Sequence, residues 1–330
     1  RAPLLAQGGL FAPISREGSL VLNNLQLVTA CAAVFVGTLY PLALESLTGE
    51  KISVGGPFFN YTFVPLIVPL LIAVPFGPML AWKRGDIAAA GQRLMAAAIL
   101  ALVVSLAVLA WQQRGPWLAP FGIGLGIWLI GGALSEIAFR VKLFGGSLTD
   151  AARRLGNLPR SAFGTAFAHA GLGIVVIGIV AITAWRSESI LAMKPKESAD
   201  IAGYQLTFEG VAPREGPNYR ERVGLFKVAR GGQAVTTLEP SKREFTVERS
   251  STTEAGIHDS WRGDLYVVLG DPLKDGAYSV RIYFNPLVRL IWLGAVVMFI
   301  GGGLSLSDRR LRIGAPKRAK AMGQGLAPAE

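Results

Sequence analysis

The stretch Ala162-Phe-Gly-Thr-Ala-Phe-Ala-His169-Ala-Gly-Leu-Gly-Ile-Val-Val-Ile-Gly-Ile-Val-Ala-Ile-Thr-Ala-Trp185 decides how this chain folds. It carries no Asp, Glu, Lys or Arg, and as a helix rising 1.5 Å per residue it is about 36 Å long, enough to cross a bilayer. His169, one of only two histidines in the chain, sits inside it. An imidazole in hydrocarbon is costly unless it gains a bond that water would otherwise supply, so it is a functional hypothesis from the outset. A metal, a cofactor iron or a proton relay would each supply that bond.

The rest of the chain agrees with a membrane setting. Of 330 residues, 51% are hydrophobic and 17% charged, with a mean hydropathy of +0.43. Soluble domains carry about 25% charged residues. The net charge of +11 reports topology before it reports a polyanionic partner. No basic stripe interleaved with aromatics is present, which argues against nucleic-acid binding. The single cysteine, Cys31, excludes an internal disulfide, a CxxC redox pair and a CxxCH haem attachment site. Within an apolar helix it reads as a small core residue. The first segment, Arg1–Gly18, is polar and has no signal-peptide pattern, and the chain reads as part of a longer polypeptide.

Working outward from the central run, six apolar segments have membrane-spanning length: 20–44, 62–82, 94–112, 117–139, 162–185 and 287–306. Tryptophans at positions 82, 111, 117 and 185 mark ends of these segments, as expected of an interfacial belt. With both termini cytoplasmic, 16 of the 33 Lys and Arg residues fall on the cytoplasmic pieces, including the basic tail 307–330. The two short outer loops hold only Lys51 and Arg114. This asymmetry predicts the orientation, because short-loop Lys and Arg stay on the cytoplasmic side. The final residues, 321–330, read as disordered.

The hydrophilic insert 186–286 reads as β. Tyr204–Phe208, Gly224–Val228, Phe245–Val247, Leu265–Leu269 and Tyr278–Tyr283 are the predicted strands. Turn signals separate them at Gly216-Pro-Asn218, Gly231-Gly232, Glu239-Pro240, Gly270-Asp-Pro272 and Asp275-Gly276. The expected fold class is therefore a polytopic α-helical membrane protein with six transmembrane helices. A small all-β sandwich or barrel on the outer face is inserted before the last helix.

Several residues are candidates for chemistry. His169 shares a helix face with Thr165 and Gly173, and Gly164, Gly171 and Gly173 strip side chains from its neighbourhood, so a flat macrocycle could approach the backbone. The competing reading gives the glycines to helix packing and the histidine to an interhelical hydrogen bond. His258 falls in a turn-rich part of the insert and reads as a solvated loop residue. Arg289, at the outer mouth of the last span, either snorkels to headgroups or holds an anionic group such as a carboxylate. Glu136 and Arg140 are spaced for a local ion pair. Asn23 and Asn24 suit capping or interhelical hydrogen bonding. No phosphate-binding GxxxxGK[ST] loop, zinc-ligand cluster or G-x-S-x-G elbow is found.

Blocks running in order along nearly the whole chain carry a resemblance. They are Gly9-Leu-Phe-Ala-Pro-Ile-Ser-Arg-Glu-Gly18 with Leu20-Val-Leu-Asn-Asn24; Phe35-Val-Gly-Thr-Leu-Tyr-Pro-Leu42; Lys51-Ile-Ser-Val-Gly55; and Pro57-Phe-Phe-Asn60. Further on come Ala168-His-Ala-Gly171, Gly216-Pro-Asn-Tyr219, Thr253-Glu254, Asp264-Leu-Tyr266, Asn285-Pro-Leu-Val-Arg-Leu-Ile-Trp-Leu-Gly294 and Ser307-Asp-Arg-Arg310. Together they resemble the C-terminal half of the CcmF/CycK family of cytochrome c-type biogenesis proteins. The resemblance implies a component of the System I haem lyase in the bacterial inner membrane. Such a component accepts haem from the chaperone CcmE and promotes thioether attachment to the CxxCH motif of apocytochrome c. It implies CcmH-type apocytochrome-presenting partners, contact with membrane lipids and an N-terminal half of the same protein. It also implies a membrane-embedded haem b, with His169 matching one axial ligand through the haem iron; neutral imidazole is a normal haem ligand. Arg289 is expected to contact the haem or a carboxylate.

The family's tryptophan-rich segment and its second axial histidine are not in this sequence. The resemblance therefore implies haem lyase activity only as part of a complex, with no catalytic residue identified here and the segment alone inactive. Two other classes stay open: a haem transporter or exporter, which calls for polar residues lining a path through the spans, and a noncatalytic assembly scaffold whose outer domain grips apocytochrome.

Overall fold

A computed structural model describes residues 10–112 and 115–308. Arg1, Arg114, the tail from Arg309 onward and the disorder expected over 321–330 lie outside the described residues. Among the described residues six helices are long and apolar enough to span a membrane: Arg16–Thr48, Gly56–Met79, Ile87–Gln112, Ala119–Arg140, Arg160–Trp185 and Arg289–Ser307. Each begins or ends where local chemistry permits. Helix α1 (Arg16–Thr48) starts at Ser15, whose hydroxyl accepts the Gly18 N–H at 3.0 Å, and stops at Gly49, which adopts φ +76°. Helix α2 (Gly56–Ala73) tightens into a 3-10 turn over Val74–Met79, where Pro75 and Pro78 cannot donate to an α-helical ladder. Helix α3 (Ile87–Gln112) is capped by the Asp86 carboxylate, which accepts the N–H groups of Ala88 and Ala89 at 2.9 and 3.0 Å.

The predicted spans omit one element. Between α4 (Ala119–Arg140) and α6 (Arg160–Trp185), a short amphipathic helix, α5 (Leu148–Gly156), occupies what reads as a polar connection. Its signal was present: Ser147 accepts the Asp150 N–H at 3.1 Å, and Arg153 and Arg154 fill the last turn.

Glycines set the packing of α6. A Cβ on Gly171 would lie 2.7 Å from the Gly294 carbonyl oxygen on α7 (Arg289–Ser307), and one on Gly164 would lie 2.2 Å from Ser305 Oγ. On another side, a Cβ on Gly173 would lie 2.6 Å from the Gly126 carbonyl oxygen on α4. Small residues let backbones approach closely where lipid supplies no hydrophobic drive between helices. The expected macrocycle-accommodating role for these glycines is therefore corrected: they face α7 and α4, and helix packing consumes them. Cys31 is corrected too. It is exposed on α1 rather than packed in a core, because α1 contacts little beyond α2 and the 3-10 turn.

The insert is a β-sandwich of antiparallel strands. β1 (Ser187–Met193) leaves α6 directly, and β10 (Tyr278–Pro286) leads into α7. The two pair in antiparallel register from Ser187 opposite Phe284 to Met193 opposite Tyr278, so the packed helix pair continues upward as a strand pair. With β9 (Gly263–Pro272) and β8 (Gly256–His258) they form a sheet in the order β1-β10-β9-β8. The facing sheet runs β2 (Ser198–Ile201), β3 (Tyr204–Glu215), β4 (Tyr219–Arg230), β6 (Ser241–Phe245), β7 (Ser251–Glu254). β5 (Gln233–Leu238) shares the β6 side of β4, and Pro240 divides the two. The expected strand Phe245–Val247 is largely a turn, since Thr246–Glu248 reverse the chain between β6 and β7.

Alternation fills the core: Leu206 and Phe208 from β3, Phe226 and Val228 from β4, Leu265, Val267 and Leu269 from β9, and Val280 and Ile282 from β10 are fully buried. Phe208 and Phe226 stack with centroids 4.8 Å apart. One charge is also buried. The Glu221 carboxylate is 1% exposed and is held by Arg243 Nε at 2.8 Å, Arg214 Nε at 2.5 Å and the Ser241 hydroxyl at 2.7 Å. Burial raises its pKa, but these donors outweigh that and bring it down to about 2.

Two outcomes follow for the purified protein in detergent. Gly171→Leu sharply lowers the yield and thermal stability of folded protein by forcing α6 from α7, at a cost of at least about 1–3 kcal/mol. Gly302→Leu, where a Cβ meets nothing within 4 Å, does not. Because the folded-state pKa of Glu221 is depressed, its stabilisation is present above pH 4.5 and is lost as pH falls from there through about 2. Glu221→Gln costs about 2–3 kcal/mol at pH 7 and flattens the stability profile in that window, as read by tryptophan fluorescence.

Candidate functional site

Helix α6 has three faces. Gly164, Gly171 and Gly178 turn toward α7, and Gly173 toward α4. The third face carries Thr165 and His169, one helical turn apart, and opens on a cleft of about 310 Å³. α1 contributes Arg16, Ser19, Leu20, Leu22 and Asn23 to the cleft, while the end of α2 and the 3-10 turn contribute Leu70, Ala73, Val74, Gly77 and Pro78. The volume is at the lower end of small-molecule sites, and the walls combine apolar surface with a few polar groups.

His169 is half-buried, and its imidazole makes no hydrogen bond among the described residues. The interhelical hydrogen bond offered above as its alternative role is therefore missing there. A neutral imidazole nitrogen facing an apolar cleft retains its lone pair for an electrophile, and a haem iron is one. The donor set fits that group: one imidazole, apolar walls for a macrocycle and a cation for its acid groups. Gly173, which shares the helical spacing of His169, does not share its environment, because the Gly126 contact claims it.

Glu136 sits behind this face on α4. Arg140 donates to its Oε1 through Nε and Nη2 at 3.0 and 2.7 Å, the ion pair read from their spacing, and the Glu136 side chain is 3% exposed. Its Oε2 is buried without a partner among the described residues, and the carboxylate is within electrostatic reach of His169. No signal in the sequence distinguishes this buried acid from a surface pair. At the start of α6, Asp308 Oδ2 accepts the Ser161 N–H at 3.1 Å, so the Ser307-Asp308 block caps the histidine's helix from the end of α7.

The other candidates lie elsewhere. Arg289 pairs with the Asp259 carboxylate of the β-domain, and its guanidinium lies 5.6 Å from the Trp261 ring centroid. It therefore fastens the 259–262 turn to the start of α7, where the Leu287 N–H also donates to the Arg262 carbonyl at 3.1 Å. His258 is not in a solvated loop: β8 pairs it with Leu265, and its ring meets Tyr204 edge-on at 6.0 Å. Trp185 is half-buried and meets Trp111 with centroids 5.8 Å apart, while Trp82, Trp111 and Trp117 are all exposed. The residues missed in the sequence reading are Arg16 and Ser19, whose spacing with Asn23 (i, i+3, i+7) marks one face of α1.

Comparison with known proteins fits this architecture. A family model described as the CcmF C-terminal beta-sandwich matches residues 184–286. The chain is 56% identical over 330 residues to the cytochrome c-type biogenesis protein CycK of Bradyrhizobium diazoefficiens, covering 100% of this chain and 50% of that protein. It is 36% identical over 300 residues to CcmF of Escherichia coli, covering 90% and 44%. A solved structure of the cytochrome c haem lyase CcmF shares the fold, with a TM-score of 0.69 at 23% identity over 90% of this chain and 46% of that one. Six apolar helices with a β-sandwich set before the last define a multi-pass membrane protein of the cytochrome c biogenesis type. The chain belongs to the CcmF/CycK family, and it spans about half the length of the curated relatives it matches.

The Arg289–Asp259 junction has a measurable signature. A double-mutant cycle of Arg289→Ala and Asp259→Ala on thermal unfolding gives a coupling of about 0.5–1 kcal/mol at low salt. The coupling shrinks as ionic strength rises, because Asp259 is exposed.

Proposed function

We propose that this chain is the part of a bacterial cytochrome c haem lyase that holds a membrane-embedded haem b through His169. The observation that carries this reading is an imidazole in a spanning helix that has no hydrogen-bond partner among the described residues and faces an apolar cleft. The family membership supports it. Bound there, the haem supplies one-electron chemistry, which in a lyase keeps the substrate haem iron ferrous. The chain's own residues do the holding. His169 would donate its imidazole lone pair to the iron, Leu20, Leu70, Val74 and Pro78 would exclude water from the site, and the α6 packing would hold the imidazole in place.

In the same reading the β-sandwich lies in the periplasm of a bacterial inner-membrane protein, as the Lys and Arg asymmetry supports. There it docks the haem chaperone CcmE, CcmH-type presenting proteins and apocytochrome c, whose CxxCH cysteines receive the thioether bonds. A transporter reading has less support. The polar face of α1 gives way, deeper in the helix, to buried Ala30 and Gly37, and a Cβ on Gly37 would lie 2.4 Å from the Phe58 ring. That face is closed by aromatic packing rather than lined for passage.

Absorption spectra of the detergent-purified full-length protein, oxidised and reduced, test the assignment. The expected result is a b-type signal that is lost or altered in His169→Ala, together with impaired cytochrome c maturation. An unchanged spectrum removes His169 from the iron.

A further inference from the structure

α1 is apolar along most of its length, yet Arg16, Ser19, Asn23 and Gln26 recur on one face at helical spacing. Arg16, Ser19 and Asn23 line the cleft opposite Thr165 and His169. Gln26 follows one turn deeper, and its Oε1 is buried without a partner among the described residues. Polar groups ordered in this way along a spanning helix mark a functional face.

Their charges are unbalanced. No acidic side chain pairs with Arg16 among the described residues; its guanidinium lies 5.1 Å from the Trp82 ring centroid. The adjacent acid, Glu17, instead accepts the Lys83 N–H at 2.7 Å. Among the described residues no Asp or Glu lines the cleft, and Arg16 stands in the first turn of α1, where the helix dipole adds to its positive charge. Asn23 donates to Asn24 Oδ1 at 3.2 Å, which leaves the second N–H of its amide available. An apolar cleft with a cation and an amide donor on one wall and an imidazole on the other suits a ligand with an apolar body and an acidic edge.

We infer that Arg16 is the counter-charge for a propionate carboxylate of the haem at His169, with the Asn23 amide sharing that carboxylate. This rests on the assignment of His169 as an axial ligand. Arg16 begins α1, whereas His169 lies nine residues inside α6, so the pairing directs the acidic edge toward the end of the bundle away from the β-sandwich. A carboxylate left without its cation favours ferric over ferrous iron, so removing the Arg16 charge lowers the midpoint potential. Loss of a charge-assisted hydrogen bond also weakens retention of the ligand about tenfold.

The test uses the detergent-purified full-length protein with Arg16→Gln, Arg16→Lys and His169→Ala. Redox titration and the rate of haem loss to apomyoglobin are the readouts. Arg16→Gln is expected to keep the b-type band positions while lowering the midpoint potential and losing haem about tenfold faster, and Arg16→Lys restores most of the potential. Wild-type potential and wild-type haem retention in Arg16→Gln overturn the assignment and leave His169 ligation standing. Equal losses in Arg16→Gln and Arg16→Lys also overturn it, since they point to packing on Trp82 rather than to charge. An unaltered spectrum in His169→Ala overturns the ligation itself, and the Arg16 assignment with it. Should Arg16→Gln not accumulate, Asn23→Leu leaves Arg16 on Trp82: faster haem loss supports the pairing, and unchanged retention overturns it.

Discussion

The close approach of α6 to α7 and α4, set by glycines on both sides, is the constraint from which the rest of the molecule follows. Gly171 meets the Gly294 backbone, and Gly173 meets that of Gly126. In a membrane, where apolar side chains gain nothing by leaving lipid, such contacts replace the hydrophobic effect as the source of helix association. They make α6 the central element and occupy two of its faces. The face that remains is the one bearing Thr165 and His169. The site is thus defined by subtraction: the histidine faces a cleft because the glycines beside it are already committed.

The same helix pair supports the outer domain. β1 continues α6 and β10 precedes α7, and all of β1 pairs with Tyr278–Phe284 of β10, so the geometry of the bundle passes into the sandwich through backbone hydrogen bonds. Arg289 and the 259–262 turn add a second fastening at that junction. The sandwich is held by its own apolar core and by the buried Glu221 cluster, neither of which involves the membrane helices. The domain has an independent core, and because β1 and β10 belong to its own sheet, that sheet runs directly into α6 and α7.

Parts of this were legible in the sequence because they depend on local patterns. Long uncharged runs specify spans, and alternation within 204–208 or 265–269 specifies sheet. The elements that were missed depend on context. Phe245–Val247 alternates like a strand, but the chain has to reverse there between β6 and β7. α5 is short, and its Ser147 cap is a weak signal on its own. The glycines around His169 admitted two readings because helical spacing does not tell which neighbour a face meets. Arg16 looked like one positive charge among several on the cytoplasmic side, and its place in the cleft follows from how the start of α1 is bound to the 81–85 segment: the Arg16 N–H donates to the Ala81 carbonyl at 3.0 Å, and the Gly85 N–H to that of Ile14 at 2.8 Å.

By itself the sequence determined the class of protein, the spans, the β character of the insert and the prominence of His169, since each follows from hydropathy, periodicity or the cost of a polar group in hydrocarbon. The tertiary structure alone decided which face of α6 the histidine occupies, which residues share its cleft, that Arg289 is engaged by Asp259, and that Glu136 is buried behind the site. Those are relations between segments far apart in the chain. No local pattern encodes them, because they depend on which helices meet and at what distance, and here backbone contact at glycine sets that distance.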